Sequence, residues 1–219
     1  MQDPIELSLK TELQIAMARL QDKIVESIFN LEPGIVMHGG TAVWRCYNGN
    51  RFSDDIDIYA TDKQTETLNH KLDNALSKRG VRLDYPKYSA RSLECSDGFA
   101  TIKLQAQEPS RPIRSVQRGY TRSNGTLFPI TTMSASAIVI EKIETYKSRR
   151  YARDLYDIYH LISNERLDVK AIAALKAFYR AGVQKPADME KLADLVYAGA
   201  PPTFDTMLDS IGNITGNVD

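Results

Sequence analysis

Two carboxylates at alternate positions, Asp55 and Asp57, are the residues of this chain whose spacing best suits chemistry. Side chains at positions i and i+2 of a β-strand project from the same face, roughly 6–7 Å apart along the strand. Magnesium usually takes one or two protein carboxylates and completes its shell with water and phosphate oxygens. The spacing therefore predicts a Mg²⁺ (or Mn²⁺) site that would serve phosphoryl or nucleotidyl transfer, with Asp55 and Asp57 as catalytic metal ligands.

A glycine pair lies upstream of these carboxylates. Gly39 and Gly40 follow the apolar residues 35–37 and precede Thr41. Glycine lets a backbone approach a ligand without interference from a Cβ atom, and the N-terminus of a following helix presents free N–H groups to an anion. We therefore expect Gly39, Gly40 and Thr41 to contact the phosphates of a nucleoside triphosphate.

Hydrophobic periodicity indicates the elements that must position these residues. The alternation over residues 55–60 places Ile56 and Ile58 on the buried face of a strand, and the aspartates on the opposite face. The remaining pattern before residue 130 predicts helices over 5–30, 41–47 and 62–79, strands over 35–37, 81–88, 91–95 and 99–106, and a loop or short hairpin over 108–129.

The last third of the chain is predicted to be helical. Ser134 suits a helix N-cap, whereas the residues from Pro201 onward carry little pattern. We predict an α+β (mixed α/β) fold, in which a small mixed β-sheet flanked by helices (residues 1–130) is followed by a helical C-terminal domain (residues 131–219). In that domain we expect four helices. The first follows Ser134 and ends near residue 148, the second begins near residue 151, and the other two cover 169–182 and 188–198.

Composition excludes several classes of protein. The chain has 219 residues, of which 42% are hydrophobic and 26% charged, as in folded globular proteins. No apolar run approaches the ~20 residues of a membrane span, and the N-terminal residues have no pattern of a secretion signal. Two cysteines and three histidines make a disulfide framework or a zinc site improbable. We expect a cytoplasmic protein without membrane contact.

The formal net charge of zero conceals an uneven distribution. The stretch from Ser110 to Arg153, called the basic segment below, carries nine Lys or Arg and two Glu, an excess of seven positive charges. Such an excess suits a triphosphate or a polyanionic partner such as RNA.

Two groups of residues resemble one known family. The first is the window 39–58, which contains Gly-Gly-Thr-Ala and then Arg-Phe-Ser-Asp-Asp-Ile-Asp-Ile. The second is Lys142, followed by Arg150 and by Arg-Asp-Leu-Tyr-Asp at 153–157. Their order and separation are similar to those of the AbiEii/AbiGii toxin family of nucleotidyltransferases, within the DNA polymerase β-like minimal nucleotidyltransferase superfamily. The resemblance covers residues 35–162.

The resemblance implies an enzyme that transfers a nucleotide from a nucleoside triphosphate to an acceptor hydroxyl. Asp55 and Asp57 would bind magnesium, Lys142 would reach the phosphates, and Asp154 would act as a general base or as a positioning carboxylate. Some members of the family act on the 3′ end of transfer RNA, and members are usually paired with an antitoxin. Expected partners are therefore the triphosphate, tRNA or other RNA, and an antitoxin protein. Contacts to the triphosphate would come from Gly39, Gly40, Thr41, Arg51, Ser53, Lys103 and Lys142.

One residue departs from the family pattern. The second family motif is a strand with Lys-x-acidic, and the matching residues are Lys103 and Gln105. A neutral amide thus stands where a carboxylate is usual, which argues against a second tightly held metal. The alternative is therefore a nucleotide-binding pseudoenzyme, or a regulatory partner-binding module without turnover. The basic segment leaves a further alternative open, an RNA-binding protein without a nucleotide site.

Overall fold

The structure, a computed structural model, describes residues 3–84, 91–110 and 112–216. The chain divides into two compact units. The first unit comprises Met1–Asn48 and Phe52–Met133, and the second comprises Gly49–Arg51 and Ser134–Asp219. The first unit contains a mixed sheet with helices and the second is helical, so the predicted α+β fold is confirmed.

The first unit begins with a 3₁₀ turn over Ile5–Leu7 and then alternates helices with strands. Its first helix starts later than predicted, because the Thr11 side chain caps it by accepting a hydrogen bond from the Gln14 N–H at 3.1 Å. The elements of this unit are α1 (Glu12–Leu31), β1 (Val36–His38), α2 (Gly39–Cys46), β2 (Asp55–Tyr59), α3 (Asp62–Ser77), β3 (Arg82–Asp84), β4 (Ser92–Ser96), β5 (Thr101–Gln107), β6 (Ser115–Thr121) and β7 (Leu127–Met133).

The strands described form one seven-stranded sheet in the order β3-β4-β5-β2-β1-β7-β6. Strand β1 is antiparallel to β2 and parallel to β7, and β2 is parallel to β5. The strand centres are apolar, since Met37, Ile56 and Ile58 are fully buried. Helix α1 packs against α3, and α2 lies against β2. The two aspartates therefore sit on a central strand whose opposite face belongs to the core.

The segment predicted as a loop or short hairpin forms a hairpin of two full strands. Strands β6 and β7 pair over seven residues, from Ser115 opposite Met133 to Thr121 opposite Leu127. Gly119 lies opposite Pro129 in this ladder, and these two residues, which are rare in strand interiors, concealed the strands in the sequence pattern. Residues 85–88 of the strand predicted over 81–88 lie outside the described residues.

The second unit is a set of packed helices. The Ser134 side chain caps α4 by accepting from the Ala137 N–H at 3.3 Å, as predicted. The expected helix over residues 188–198 is instead a 3₁₀ turn at Met189–Lys191 and a short helix. The helices of this unit are α4 (Ala135–Arg149), α5 (Ala152–Asn164), α6 (Val169–Arg180), α7 (Leu192–Leu195) and α8 (Phe204–Gly216).

Helix α8 was not anticipated from the weak pattern after residue 201. It packs against α5 and α6 and buries Met207, Ile211 and Thr215 at spacings of four residues. Only three of its positions are buried and one of them is polar, so the hydrophobic periodicity of this helix is weak in the sequence. Tertiary packing, rather than propensity, stabilises such a helix.

The short segment Gly49–Arg51 belongs to the second unit because it pairs with the chain after α7. The Tyr197 N–H donates to the carbonyl of Asn50 at 3.0 Å, and the Tyr197 hydroxyl donates to the carbonyl of Gly49 at 2.9 Å. Arg51 forms an isolated antiparallel bridge with Val196. These contacts join residues almost 150 positions apart, and they determine where Arg51 lies.

Candidate active site

Asp55 and Asp57 project from the same face of β2. Both are half-buried, whereas Ile56 and Ile58 are fully buried on the core face. The predicted alternation is therefore confirmed. Asp54 precedes the strand and is exposed. We call Asp55 and Asp57 the strand pair.

The first glycine of α2 lies directly against the strand pair. His38 is the register partner of Asp57 in the β1–β2 ladder, so Gly39 begins α2 beside that carboxylate. Gly39 has φ +72°, and a Cβ atom there would overlap the Asp57 carboxylate. Only glycine meets both requirements, the left-handed backbone and the close approach.

The rest of the helix start is buried and tied to β2. Gly40 and Thr41 are buried, and the Thr41 hydroxyl donates to the backbone carbonyl of Asp55 at 2.5 Å. This hydrogen bond fixes the first turn of α2 relative to the strand that carries the carboxylates. The Thr41 hydroxyl oxygen remains an acceptor.

Strand β5 places Lys103 and Gln105 directly beside the strand pair. In the parallel β2–β5 ladder Asp55 is opposite Lys103, and Asp57 is opposite Gln105. With its NH₂ group turned toward Asp57, the Gln105 amide donates to Asp57 Oδ1 at 3.2 Å and accepts from Lys103 Nζ at 3.0 Å. Gln105 thus links the Lys103 ammonium group to the Asp57 carboxylate. An acidic side chain at this position would instead repel the Asp57 carboxylate.

Two further side chains support the entry to β2. The buried Ser53 hydroxyl donates to Asp55 Oδ1 at 3.4 Å. Gln21 of α1, which sequence reasoning did not single out, donates from Nε2 to the carbonyl of Ser53 at 2.8 Å. Gln21 is fully buried, and a glutamine on the apolar face of an otherwise amphipathic helix is the signal that marks it.

The second unit holds a separate group of charged side chains, called the charged cluster. Asp154 and Asp157 are fully buried on α5, and we call them the helix pair. Lys142 Nζ lies 3.0 Å from Asp154 Oδ1 and 2.7 Å from Asp157 Oδ2. Arg51 contacts Asp157 with two nitrogens, at 2.6 and 2.7 Å, and Arg149 contacts Asp154 at 2.8 and 2.9 Å.

The charged cluster keeps both of its carboxylates ionised. Burial raises the pKa of Asp154, but hydrogen bonds from Arg149 and the charge of Lys142 outweigh it, so this pKa lies below its ordinary value. Burial likewise raises the pKa of Asp157, and the charges of Arg51 and Lys142 bring it below the ordinary value. Three cations surround two carboxylates, which leaves a net charge of +1 within the second unit.

Arg150 and Arg153 lie four residues before Asp154 and Asp157 in the sequence, a spacing typical of surface ion pairs. The cations on Asp154 and Asp157 come instead from Lys142 and Arg149 of α4 and from Arg51. Asp157 was not assigned a role in the site. A usable signal was present, because an Asp-x-x-Asp spacing puts both carboxylates on one face of a helix, where they require cationic partners.

The strand pair has the chemistry that a divalent cation requires. Two half-buried carboxylates share a face beside a glycine that a side chain would fill, and carboxylate oxygens are ligands that Mg²⁺ prefers. Among the described residues, no three His, Cys, Asp or Glu side chains converge on a metal position. The strand pair therefore suits an ion that completes its shell with water and phosphate oxygens.

Partners within the protein account for much of the basic segment. Arg122 pairs with Glu26, and Arg118 lies over the Tyr47 ring at 4.6 Å from the ring centre. The charged cluster uses two more of its basic residues, and Arg111 lies outside the described residues. Glu26, Asp154 and Asp157 therefore neutralise part of the positive charge of the basic segment.

A sequence profile of the nucleotidyl transferase AbiEii toxins, from type IV toxin–antitoxin systems, matches residues 24–211. The chain belongs to this family. It is a nucleotidyltransferase of the toxin–antitoxin class, as the two motifs of the sequence indicated. The match extends beyond the resemblance at residues 35–162 and includes most of the second unit.

Several solved structures share the fold of this AbiEii protein. The nucleotidyltransferase toxin MenT4 from Mycobacterium tuberculosis H37Rv is 18% identical, with a TM-score of 0.65 over 98% of this chain and 88% of that one. JHP933 from Helicobacter pylori is also 18% identical, with a TM-score of 0.62 over 94% and 91%. An antigenic nucleotidyltransferase-like protein from Paracoccidioides brasiliensis is 15% identical, with a TM-score of 0.53 over 80% and 90%.

No curated protein sequence matches the chain significantly. Within residues 3–84, 91–110 and 112–216, no helix combines the length and the apolar character needed to cross a bilayer.

Proposed function

We propose that this AbiEii protein is a magnesium-dependent enzyme that transfers a nucleotide from a nucleoside triphosphate to an acceptor hydroxyl. The observation that carries the proposal is the contact between Gly39 and Asp57, beside Asp55 on the same strand face. It joins a helix start suited to phosphates with two carboxylates suited to a cation. Such a reaction needs these two functions at one place.

The proposed reaction is an in-line displacement at the α-phosphorus. The acceptor oxygen forms a bond to this phosphorus, the bond to the pyrophosphate oxygen breaks, and the hydroxyl proton passes to solvent. Bound magnesium would neutralise the charge that develops on the phosphate oxygens. Asp55 and Asp57 would hold the cation, and Gly39, Gly40 and Thr41 at the α2 start would bind the phosphates.

Two more residues of the first unit support this role. Lys103 contacts the Gln105 amide at 3.0 Å with its Nζ and is exposed, so it supplies positive charge beside the strand pair. Ser53 orients the Asp55 carboxylate through its hydroxyl. We propose that Lys103 binds a phosphate and that Ser53 positions a metal ligand.

For the second unit, the contacts favour positioning roles. Asp154 accepts hydrogen bonds from Lys142 and Arg149 and has a lowered pKa, so it is a poor proton acceptor near neutral pH. We therefore propose that it positions Lys142, the lysine to which the family resemblance assigns phosphate binding. Arg51 uses two nitrogens on Asp157, which favours a structural role over contact with the nucleotide.

The acceptor and the protein partner are proposed from the family. AbiEii proteins are toxins of type IV toxin–antitoxin systems, so we propose an antitoxin protein as partner. We further propose RNA as the acceptor, with the 3′ end of transfer RNA as the first to test. The basic residues of the first unit would add contacts to phosphates that are independent of base sequence.

The test is transfer of labelled nucleotide by purified protein with Mg²⁺, each of the four triphosphates and total tRNA. Asp55→Ala with Asp57→Ala is expected to lower transfer at least about 10³-fold, because the cation contributes several kcal/mol to the transition state. Asp54→Ala is the matched control, since this adjacent carboxylate is exposed and outside the strand. Equal loss in both variants, or full activity in the double variant, would contradict the proposal.

A second candidate function, triphosphate binding without turnover, is favoured by one observation. Gln105 replaces a carboxylate and bonds to Asp57, which removes a ligand for a second cation. Calorimetry and transfer assays on the same preparation separate the two functions. Tight triphosphate binding with no labelled product for any acceptor tested would select the second candidate.

A further inference from the structure

A pocket of about 510 Å³ lies within the first unit, at the end of the β1–β2 ladder away from the start of α2. Val36 and Tyr59 contribute to its wall from these two strands. Gln64 lines it from the first turn of α3, and Pro109 and Ile113 line it from the chain between β5 and β6. Nothing in the proposed reaction described above uses this pocket.

The strand register relates the pocket to the strand pair. Val36 is opposite Tyr59, and two residues along the same ladder His38 is opposite Asp57. Residues at i and i+2 share a face, so Tyr59 and Asp57 project from the same side of β2, about 7 Å apart along the strand. The pocket therefore adjoins the carboxylates on their own face of the sheet.

An aromatic ring of fixed orientation forms part of the pocket wall. The Tyr59 ring stacks on His38, with 3.9 Å between ring centres and planes inclined by 16°. His38 is buried and covers one flat side of the tyrosine, while Tyr59 is half-buried and lines the pocket. A pre-oriented ring suits a planar aromatic ligand, because little conformational freedom is lost on stacking.

The chain between β5 and β6 forms another part of the wall. In the sheet β5 and β6 are four strand spacings apart, which is roughly 19 Å. The eight peptide steps from Gln107 to Ser115 span at most about 29 Å, so this connection has limited slack. Pro109 and Pro112 restrict its backbone further.

Gln64 directs a hydrogen-bond donor at this site. Its Oε1 atom accepts from the Thr61 N–H at 2.9 Å and from the Thr61 hydroxyl at 3.1 Å, within the capping box of α3. The NH₂ group therefore points the other way, against Gly34, which also lines the pocket. Such a donor can bond to a carbonyl oxygen or ring nitrogen at the edge of a base.

The chemistry of the wall indicates what kind of ligand fits. Of the described residues that line the pocket, none is charged. Among the described lining residues a phosphate would meet no cation, whereas a neutral planar ring would meet an aromatic face, two prolines and an amide donor. A ribose separates the base of a nucleotide from its phosphate and hydroxyl groups, so a base can occupy the pocket while those groups approach the strand pair.

We propose that this pocket is a nucleobase subsite, in which a base of a substrate stacks on Tyr59 and is read at its edge by Gln64. The inference rests on the proposed function and adds to it the position at which the enzyme recognises a base. The base belongs either to the donor triphosphate or to the acceptor RNA, and the chemistry of recognition is the same for both.

The test is calorimetric binding to the full-length protein in Mg²⁺. The probes are α,β-methylene analogues of the four triphosphates, RNA trinucleotides, and inorganic tripolyphosphate, which has no base. Tyr59→Leu is expected to weaken a base-containing probe about tenfold or more, while tripolyphosphate binding stays within about twofold. Tyr59→Phe keeps the ring and should bind as the wild type does, and Phe99→Leu is the control for loss of an exposed aromatic residue in the same unit.

Gln64→Glu tests the reading of the base edge. Glutamate keeps the capping box, because its carboxylate accepts the same hydrogen bonds, but it removes the NH₂ donor. The order of affinity among the four bases is expected to change. Circular dichroism melting curves confirm that each variant is folded.

The outcomes separate the two sources and the two proposals. Loss with the analogues alone assigns the pocket to the donor base, and loss with the trinucleotides alone assigns it to the acceptor. Unchanged binding of both kinds of probe to folded Tyr59→Leu overturns the subsite. Failure of the proposed function has a different signature, since Asp55→Ala with Asp57→Ala would then leave tripolyphosphate binding and transfer unchanged.

Discussion

Two pairs of aspartates in this protein have opposite surroundings. The strand pair, Asp55 and Asp57, is half-buried on a β-strand beside a glycine and an amide. The helix pair, Asp154 and Asp157, is fully buried and in contact with three cationic side chains. The protein neutralises the helix pair itself, whereas we propose that the strand pair binds a cation from solution.

This difference shows that a pair of carboxylates does not reveal its role by its spacing alone. Buried carboxylates are stable only when they are paired and hydrogen-bonded. The contacts of the helix pair therefore indicate a role in holding the second unit together. Half-buried carboxylates on one strand face keep oxygen atoms accessible to a ligand. Substitutions that act differently on the two pairs are therefore the most direct way to test the comparison.

The largest expected difference is in stability. Asp157→Ala removes the partner of buried Arg51 and Lys142 and is expected to lower the free energy of unfolding by about 3–5 kcal/mol. Asp55→Ala should change it by less than about 1 kcal/mol. Urea unfolding followed by circular dichroism measures both values. Similar losses in the two variants would show that the strand pair is as structural as the helix pair.

Acid should act on the helix pair in a defined direction. The folded-state pKa values of Asp154 and Asp157 are lowered, so the unfolded state binds more protons between the folded pKa and the unfolded value near ~3.9. The stability that these carboxylates contribute is present above about pH 4 and is lost as pH falls through the folded pKa.

Urea midpoints measured from pH 3 to pH 6 test this dependence. The rise in stability with pH should be smaller in Asp154→Asn than in the wild type, because the asparagine does not titrate. Asp55→Asn is the control from the other pair. An equally steep rise in Asp154→Asn and the wild type would show that the lowered pKa of Asp154 does not contribute.

A smaller effect should separate backbone strain from contact with the strand pair. Gly39 and Gly80 have nearly equal positive φ values, +72° and +71°, but a Cβ at Gly80 meets nothing within 4 Å. Alanine at either position is expected to cost about 1–2 kcal/mol from backbone strain. Gly39→Ala should also displace Asp57 and reduce transfer, whereas Gly80→Ala should leave transfer unchanged. Equal activity in both variants would remove Gly39 from the site.

The smallest expected effect concerns metal affinity at the strand pair. Gln105→Glu adds a third carboxylate opposite Asp57 and should tighten Mn²⁺ binding several-fold, because ligand charge raises cation affinity. Gln107→Glu places the same charge two residues along β5, opposite Tyr59, and is the matched control. Titration followed by Mn²⁺ electron paramagnetic resonance measures both. Equal affinities would place residue 105 outside the metal shell.

Local features of the fold were predictable from the sequence. The alternation around Asp55 and Asp57 gives the face of β2 directly, and Ser134 marks the start of α4. The glycines at 39 and 40 and the motif spacing pointed to the family. These features depend on residues close in sequence. Hydrophobic periods of 2 and 3.6 residues identify strands and helices, and capping side chains mark where helices begin. The roles of the site residues remain predictions.

Contacts between distant parts of the chain were decided only by the tertiary structure. Nothing local assigns Arg51 to Asp157, which is 106 residues away, or places Gln105 opposite Asp57. Helix α8 likewise forms because α5 and α6 cover its buried side chains. The physical reason is that strand pairing and burial depend on which surfaces meet, and local propensity does not encode these partners.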